Sequence, residues 1–468
     1  MESKFFSSFY KVNSPAFSGR KGFVIFALLG PLIYGVCADE PFKMPSDKPP
    51  EQIRGDIEVW AWNIAAGALM KVTPQFNKEF PDIKVNVNMT GSSSYVQSRF
   101  LLSLSAGVGA PDVMQLLLSE TPRYASTKQL MDLTLVAGQY EKDFIPSFWK
   151  SCVYDGRVYA IPWGSGPCAV FYKRHLFERY HIDPNTIETW DDYIAAGKLI
   201  VQRSGGKTRM FHLPTAGAPS GLAWMFETLI QQNGGQIFDD RGRIIVNSPQ
   251  CLQVVKLLER MLKAGITLNE PLFSHMHYAS LKGDTVATYP IAAWWGGTIK
   301  DYAPETTGDW GIFRLPALEP GGLRTSNLGG SVLVIPNQCR QKETAWAYVR
   351  FVLCRPDIQN IQYKAFDLIP CLIPSFNDPF YDEPDPFFGG QKVRRLFTQD
   401  IEKIHPLNRN KDYQEAIGYV TLVLGTWVAR GMDCPPEEVL VRLEKKLHQR
   451  LSIEISPSSL GYKERKGS

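Results

Sequence analysis

The 468-residue chain lacks the cysteine patterns of metal-binding and disulfide-stapled proteins. Its eight cysteines include no C-x-x-C pair and no cysteine–histidine spacing of the zinc type, and seven of them follow residue 38. An odd number of cysteines at irregular spacing argues against a metal centre and against a complete disulfide framework. We therefore expect no metal and no cofactor. Single pairs, Cys152 with Cys168 or Cys354 with Cys371, stay open.

A strong excess of charge of either sign is also missing. The formal net charge is +4, and it falls to +1 once residues 1–38, with four basic residues and one acidic residue, are set aside. A near-neutral protein offers no electrostatic basis for binding nucleic acid or an anionic membrane. We expect no nucleic-acid partner.

A long apolar run occurs only near the start of the chain. Phe23–Val36 is shorter than the ~20 residues that a membrane-spanning helix requires, and it follows a basic stretch. Val36-Cys37-Ala38 then fits cleavage by signal peptidase after Ala38. We predict a signal peptide at 1–38, with an uncleaved anchor as the alternative. Cys37 leaves lipidation open, although Val36 is bulky where a lipoprotein signal has Gly or Ala.

The residues after the predicted signal are numerous enough for two lobes. Residues 39–54 contain four prolines and several charges, which is typical of a surface tether. About 430 residues remain, more than one hydrophobic core normally supports. We expect an exported protein, periplasmic or at the cell surface.

Sequence motifs of exported hydrolases are absent. Gly164-Ser165-Gly166 and Gly330-Ser331 do not form the G-x-S-x-G turn, and Ser204–Lys207 fits S-x-x-K only by letters. A glycosidase needs two carboxylates that face each other, and Glu120 has no evident partner. No adjacent tyrosine pair suggests an iron site. We expect a protein that is not an enzyme.

The segment from Asp56 to Leu118, directly after the tether, alternates between strand and helix patterns. Asp56–Asn63 is an apolar strand, Gly67–Phe80 an amphipathic helix and Ile83–Met89 an alternating strand. This order predicts a βαβ unit with a right-handed crossover. Tyr95–Gly107 predicts the next helix, and Val113–Leu118 a third strand.

Turn and capping signals punctuate the middle of the chain. Tyr154–Arg157 and Phe238–Gly242 each place Asp and Gly between residues of strand type, which predicts hairpins. Thr189–Asp192 resembles a capping box that opens a helix at Asp191–Val201. Asn247-Ser248-Pro249 predicts a cap followed by a proline in the first helical turn.

Tryptophans cluster where apolar segments end. They occur in Val59–Asn63, Ala160–Gly166, Leu222–Phe226 and Ile291–Gly297. Ligands of open α/β sheets bind beyond the carboxyl ends of the strands, and indole rings there suit the C–H faces of a sugar. Core packing is the alternative for any one ring. The four segments together favour a cleft.

The order of these segments is that of a known family. The stretches that carry the likeness are Tyr154–Tyr193, Asn233–Pro249, Lys282–Ala287 with the following Ile291–Gly297, and Gly329–Pro336. Over nearly all of the mature chain it resembles the family 1 extracellular solute-binding proteins of bacterial ABC sugar importers, which include maltose-binding protein.

The resemblance implies an α/β, two-lobe periplasmic-binding-protein-like fold of type II, with a ligand cleft between lobes joined by hinge segments. Lobe one would comprise residues 55–163 plus 313–362, lobe two 164–312 plus 363–456, and 457–468 a disordered tail. The expected hinge crossings are Trp163–Pro167, Ile312–Pro316 and Asp357–Pro370. Gly164 and Gly166 suit a hinge because glycine backbone torsions are permissive.

The candidate ligand site combines aromatic walls with polar groups. Trp60 is expected in the core, and Asn63 and Glu120 lie where matching loops of the family contact sugars. Turn or helix capping is the alternative for Asn63 and for the serine cluster that contains Ser93. No arginine among Arg99, Arg123 and Arg209 can be placed in the pocket. The candidate contacts are Trp62, Asn63, Ser93, Glu120, Trp163, Trp224, Trp294, Trp295, Gly296 and Tyr413.

The function implied is capture of a sugar or oligosaccharide by lobe closure and delivery to the membrane subunits of an ABC importer, by a monomer. The alternatives are the ligand-binding component of a sugar-sensing system and, with less support, an exported carbohydrate-active enzyme. Ferric and polyamine binders of related fold are minor alternatives, because they require paired tyrosines or several cleft carboxylates.

Overall fold

A computed structural model describes residues 42, 52–89, 93–215 and 220–460 of the chain, without the side chains of 93 and 94. The predicted signal peptide with Cys37, most of the tether and residues 461–468 lie outside the described residues. Within the described ranges, no helix combines the length and the apolar composition that a membrane crossing requires.

The described residues form mixed α-helix and β-strand. The strands in chain order are β1 Gly55–Ala61, β2 Ile83–Met89, β3 Val113–Leu117, β4 Val153–Tyr154, β5 Arg157–Val158, β6 Ile161–Trp163, β7 Cys168–Lys173, β8 Phe211–His212, β9 Thr267–Leu268, β10 Thr288–Ala292, β11 Trp310–Arg314 and β12 Ser331–Val334. The helices are α1 Asn63–Glu79, α2 Ser93–Ala106, α3 Thr121–Ala125, α4 Thr134–Ala137, α5 Pro146–Ser151, α6 Arg174–Arg179, α7 Trp190–Arg203, α8 Gly221–Gln232, α9 Pro249–Lys263, α10 His275–Lys282, α11 Trp295–Tyr302, α12 Lys342–Leu353, α13 Pro356–Phe366, α14 Val393–Thr398, α15 Tyr413–Ala429 and α16 Pro436–Leu451.

A five-stranded sheet with the order β2-β1-β3-β12-β6 organises the first part of the chain. β1 is parallel to β2 and β3, and β12 is antiparallel to β3 and β6. The predicted βαβ unit is confirmed, with β2 at the predicted bounds. The predicted first strand is two residues too long, because Trp62 caps α1 and Asn63 is its first residue. Helix α1 buries Leu69, Val72 and Phe76 against the sheet.

A second sheet with the order β10-β7-β11 separates two hydrophobic cores. Strand side chains alternate between faces, so Ala169 and Phe171 of β7 enter the first core, while Val170 and Tyr172 enter the second. The first core also contains the five-stranded sheet, and the second is built on α7, α8, α9, α15 and α16. The fold is the expected two-lobe α/β arrangement.

The local signals of the sequence are largely confirmed. Asp155 and Gly156, with φ of 48° and 73°, join β4 to β5 as predicted. Thr189 and Asp192 form the capping box in both directions, and the helix runs somewhat further than predicted at both ends. Ser248 caps α9, which begins at Pro249. The second hairpin signal yields a single antiparallel bridge between Phe238 and Ile244.

Three chain crossings lie side by side between the two sheets. The Ser165 N–H donates to the Ile369 carbonyl at 2.7 Å, and the Gly166 N–H donates to Asn327 Oδ1 at 2.9 Å. The Leu328 N–H donates back to the Gly166 carbonyl at 2.9 Å. Because β11 stays paired with β7 as far as Arg314, the second crossing comes later than the predicted Ile312–Pro316, at 327–330.

Candidate functional site

Two partly exposed tryptophans lie where β10 ends beside the hinge. Trp294 follows β10, and Trp224 lies in the first turn of α8. Their ring centroids are 6.3 Å apart at an interplanar angle of 85°. The Trp294 Nε1–H donates to the Leu328 carbonyl at 3.1 Å. Trp294 packs against both cores, and its hydrogen bond to Leu328 places the indole beside the crossing at 327–330.

Two predicted walls are interior residues instead. Trp163 is 1% exposed, and its Nε1–H donates to Gln362 Oε1 at 2.8 Å. Trp295 is 0% exposed and stacks on His277 with centroids 4.9 Å apart. Both rings belong to the first core, which favours core packing, the alternative role, at these two positions. Trp60 is buried as predicted, under the Arg99 guanidinium at 3.8 Å.

Gly296 and Tyr413 are also engaged within the protein. The Gly296 N–H donates to the Ala293 carbonyl at 2.9 Å, so the turn already uses this donor. The Tyr413 ring is buried in the second core, and its hydroxyl donates to Glu227 Oε1 at 2.9 Å. These internal contacts favour a structural role for Trp163, Trp295, Gly296 and Tyr413, so our proposal of ligand contacts rests on the other candidates. The sequence alone does not indicate in which direction these side chains point.

Trp62 and Asn63 lie where β1 passes into α1. The Trp62 side chain is 6% exposed, and its backbone N–H donates to Gln115 Oε1 at 3.0 Å. Gln115 Nε2 in turn donates to Ser331 Oγ at 3.0 Å, which ties the junction to β12. Asn63 is exposed, with a φ of 50°. Ser93 begins α2, and its side chain lies outside the described residues.

Glu120 follows β3 in a short 3-10 turn. Burial raises the pKa of its carboxyl, and the guanidinium of Arg123, 3.6 Å from Oε2, opposes that shift. Glu120 Oε2 has no hydrogen-bond partner among the described residues, so this partly buried carboxylate benefits from a further donor. Glu120 therefore remains a candidate acceptor for a ligand hydroxyl.

Sequence reasoning missed the buried ion pair of Arg409, whose side chain also makes a hydrogen bond to the other predicted lobe. Arg409 Nη2 lies 3.3 Å from Glu227 Oε1, and Arg409 Nη1 donates to Ser151 Oγ at 3.0 Å. The Arg409 side chain is only 5% exposed. Nearby, Gln414 Nε2 donates to Ser119 Oγ at 2.5 Å. A glutamate in the apolar run of α8 was the available signal, because buried charges require partners.

The described part of the chain contains neither a candidate metal site nor a disulfide bond. No group of three histidine, cysteine or acidic side chains in these ranges is placed to hold a metal ion. The seven described cysteines are all free thiols, so neither of the pairs left open by the sequence is bonded. Burial raises the pKa of the Cys152 and Cys168 thiols, which disfavours the reactive thiolate.

Comparison with known proteins gives the same fold. An arabinooligosaccharide-binding protein of Halalkalibacterium halodurans is 24% identical over 86% of this chain and 91% of its own length. Its counterpart of Bacillus subtilis is 23% identical over 92% and 98%. The transporter-associated binding protein of B. animalis subsp. lactis, solved with β-1,6-galactobiose, superposes with a TM-score of 0.69 at 23% identity, covering 85% of this chain and 97% of that one.

The family assignment follows from a match that spans most of the chain. The model of the bacterial extracellular solute-binding proteins matches residues 61–353, which include β2, β3, β6 and β12 of the five-stranded sheet, the hinge pairing at 164–168 and 327–330, and Trp224 and Trp294. Together with the two-lobe fold, this match shows that the chain belongs to the family of bacterial extracellular solute-binding proteins.

Proposed function

We propose that this solute-binding protein captures a sugar or oligosaccharide between its lobes and delivers it to the membrane subunits of an ABC importer. The observation that carries the proposal is the partly exposed Trp294 ring, which packs against both cores beside the hinge and meets Trp224 edge to face. The arabinooligosaccharide- and lactose-binding relatives support the class of ligand.

The remaining candidate residues suit the two surfaces of a sugar. Indole faces pack on C–H groups, and buried polar groups pair with hydroxyls. The proposed contacts are Trp62, Asn63, Ser93, Glu120, Trp224 and Trp294. Because Glu227 neutralises Arg409 at the lobe boundary, the pair adds no net charge there. This balance favours a neutral saccharide over a uronic acid.

Lobe closure would use the three adjacent crossings as its hinge. We keep the proposed lobe boundaries after 163 and before 363 and move the second hinge to 327–330, so that lobe one comprises 55–163 plus 331–362 and lobe two 164–326 plus 363–456. Hinges absorb closure in a few backbone torsions, and Gly164, Gly329 and Gly330 all have positive φ there. The family is exported, and we further propose a monomer whose lipidation at Cys37 stays open.

Trp224→Ala and Trp294→Ala are expected to lower saccharide affinity by about 1–3 kcal/mol each while the fold persists, because a partly exposed ring contributes contact area to a ligand. Titration calorimetry measures this with arabinotriose, lactose or β-1,6-galactobiose, chosen by a thermal-shift screen. Tyr302→Ala, which removes another exposed ring on α11, is the control and should bind as the wild type does.

Two results would contradict the proposal. Unchanged affinity in both tryptophan variants would place the ligand elsewhere. Turnover of the glycans by purified protein, abolished by Glu120→Gln, would indicate an enzyme, whereas the proposed carrier leaves them intact. Trp163→Ala and Trp295→Ala should lower stability, since their rings are interior.

A further inference from the structure

A pocket beside Trp224 contains two histidines that the proposed contacts do not use. It is open to solvent. Trp224, Ile291 and Leu328 form its apolar side, and His212, His277 and Tyr289 its polar side. We call it the histidine pocket. It adjoins the hinge through Leu328, whose carbonyl also accepts the Trp294 indole N–H.

The hydrogen bonds around Ser280 fix the tautomer of His212. Ser280 Oγ donates its hydrogen to the His277 carbonyl at 2.5 Å. Its lone pairs are then left to accept from the Tyr289 hydroxyl at 2.6 Å and from His212 Nε2 at 2.9 Å. His212 Nε2 therefore carries the proton, and Nδ1 of the neutral ring is an acceptor.

That acceptor has no partner among the described residues. His212 is 8% exposed, and its Nδ1 is buried without a hydrogen bond from any described group. Burial and, secondarily, His277 and Lys173 lower the His212 pKa to about 3, so the ring is neutral at ordinary pH. A buried acceptor without a donor costs free energy, and an O–H group of a ligand would recover it.

The neighbouring groups restrict what such a ligand can be. The Lys173 ammonium donates to the backbone carbonyls of Ser280 and Gly283, behind the histidines. Its charge disfavours a cation in the pocket, and a carboxylate cannot donate to Nδ1 at neutral pH. Trp224 supplies an apolar face at the same pocket. A neutral sugar unit with a free hydroxyl has both required features.

We propose that the histidine pocket is a subsite of the saccharide site, in which His212 Nδ1 accepts a hydrogen bond from one hydroxyl of the sugar unit that packs on Trp224. The assignment rests on the proposed function. It makes His212 a specificity-determining residue, because a site with a buried hydrogen-bonding group rejects analogues that lack the matching hydroxyl.

Two amide substitutions separate the acceptor from the rest of the ring. In His212→Gln the amide nitrogen can still donate to Ser280, but nothing replaces Nδ1. In His212→Asn the amide oxygen can occupy the Nδ1 position. With the saccharide of the panel arabinotriose, lactose and β-1,6-galactobiose that binds most tightly, calorimetry should show about a 10- to 100-fold loss for Gln and less than about 3-fold for Asn.

Mono-deoxy analogues of that saccharide identify the hydroxyl. One position should cost wild type and His212→Asn about 10- to 100-fold in affinity and His212→Gln almost nothing. In wild-type protein, the ¹⁵N resonance of His212 Nδ1 should shift on saccharide binding as a new hydrogen bond forms. This readout does not depend on how either variant folds.

The outcomes distinguish the two proposals. The subsite is wrong, and the carrier function stands, if wild type binds a saccharide but three results follow. Both variants bind it as tightly as wild type, no deoxy analogue discriminates between the variants, and the ¹⁵N resonance of Nδ1 does not shift. If wild type binds no saccharide of the panel, the proposed function and the subsite fail together.

Discussion

Gly166→Ala should destabilise the hinge by about 3 kcal/mol, the upper part of the usual range for overpacking. A Cβ at this position would lie 2.2 Å from the Leu328 carbonyl oxygen and 3.0 Å from its carbonyl carbon. The obstacle is backbone, and two hydrogen bonds hold Leu328 in place: Leu328 N–H to the Gly166 carbonyl, and the Trp294 indole N–H to the Leu328 carbonyl. The two chain segments would have to separate.

The matched control is Gly164→Ala, two residues earlier in the same crossing. Gly164 has a φ of 61°, and the nearest atom to an added Cβ is a Leu368 side-chain carbon at 3.8 Å. The Gly164→Ala variant should therefore lose only the roughly 1–2 kcal/mol of stability that a non-glycine residue costs in the left-handed backbone conformation. Urea unfolding of both variants measures the difference. Equal losses, or a stable Gly166→Ala protein, would contradict the close pairing of 164–168 with 327–330.

Gly166→Ala should also weaken saccharide binding beyond its effect on stability. The Leu328 carbonyl that must move holds Trp294 and borders the histidine pocket. Affinity measured under folding conditions should therefore fall in Gly166→Ala, while Gly164→Ala should remain closer to wild type. The proposed hinge and the proposed ligand site are thus connected through the Trp294–Leu328 hydrogen bond.

The sequence predicted local structure better than side-chain direction. β2 and the capping box at Thr189 depend on nearby residues only, and both are confirmed. Trp294 and Trp295 look equivalent in sequence, yet the first is partly exposed and the second fully buried. Helix α11 begins at Trp295, and successive side chains at a helix start point about 100° apart. One ring can enter the core, and its neighbour cannot.

Contacts between residues far apart in the chain could not be predicted, for a different reason. Glu227 of α8 and Arg409, which precedes α15, are 182 residues apart in the chain, and the packing of α15 against α8 helps to bring them together. We propose the second hinge later than the sequence predicted it, because the strand pattern of β11 does not reveal how far its pairing with β7 extends. The free Nδ1 of His212 depends on Ser280 and Tyr289, which contribute no motif of their own.

Lowering the pH from 7 to 5 should reduce the free energy of unfolding by about 4 kcal/mol, from His212 and His277 together. Burial lowers the pKa of His277 to about 4, and burial with nearby positive charge lowers that of His212 to about 3. In the unfolded chain both titrate near the ordinary value of 6.5. Between these values the unfolded state binds more protons, so acid favours unfolding.

The measurement is urea unfolding at half-unit steps from pH 7.5 to pH 5, compared with the variant His212→Asn/His277→Asn. The variant should lose most of the slope, because neither amide titrates, even if its stability at pH 7 is lower.

His275→Asn is the matched control, since its ring is exposed on the same helix as His277, and it should keep the wild-type slope. Glu120, whose pKa is raised by burial, acts in the opposite direction and is present in all three proteins, so it cancels from the comparison. An unchanged slope in the double variant would mean that the two imidazoles reach water in the folded protein, and the histidine pocket would then lack the buried acceptor on which its sugar subsite depends.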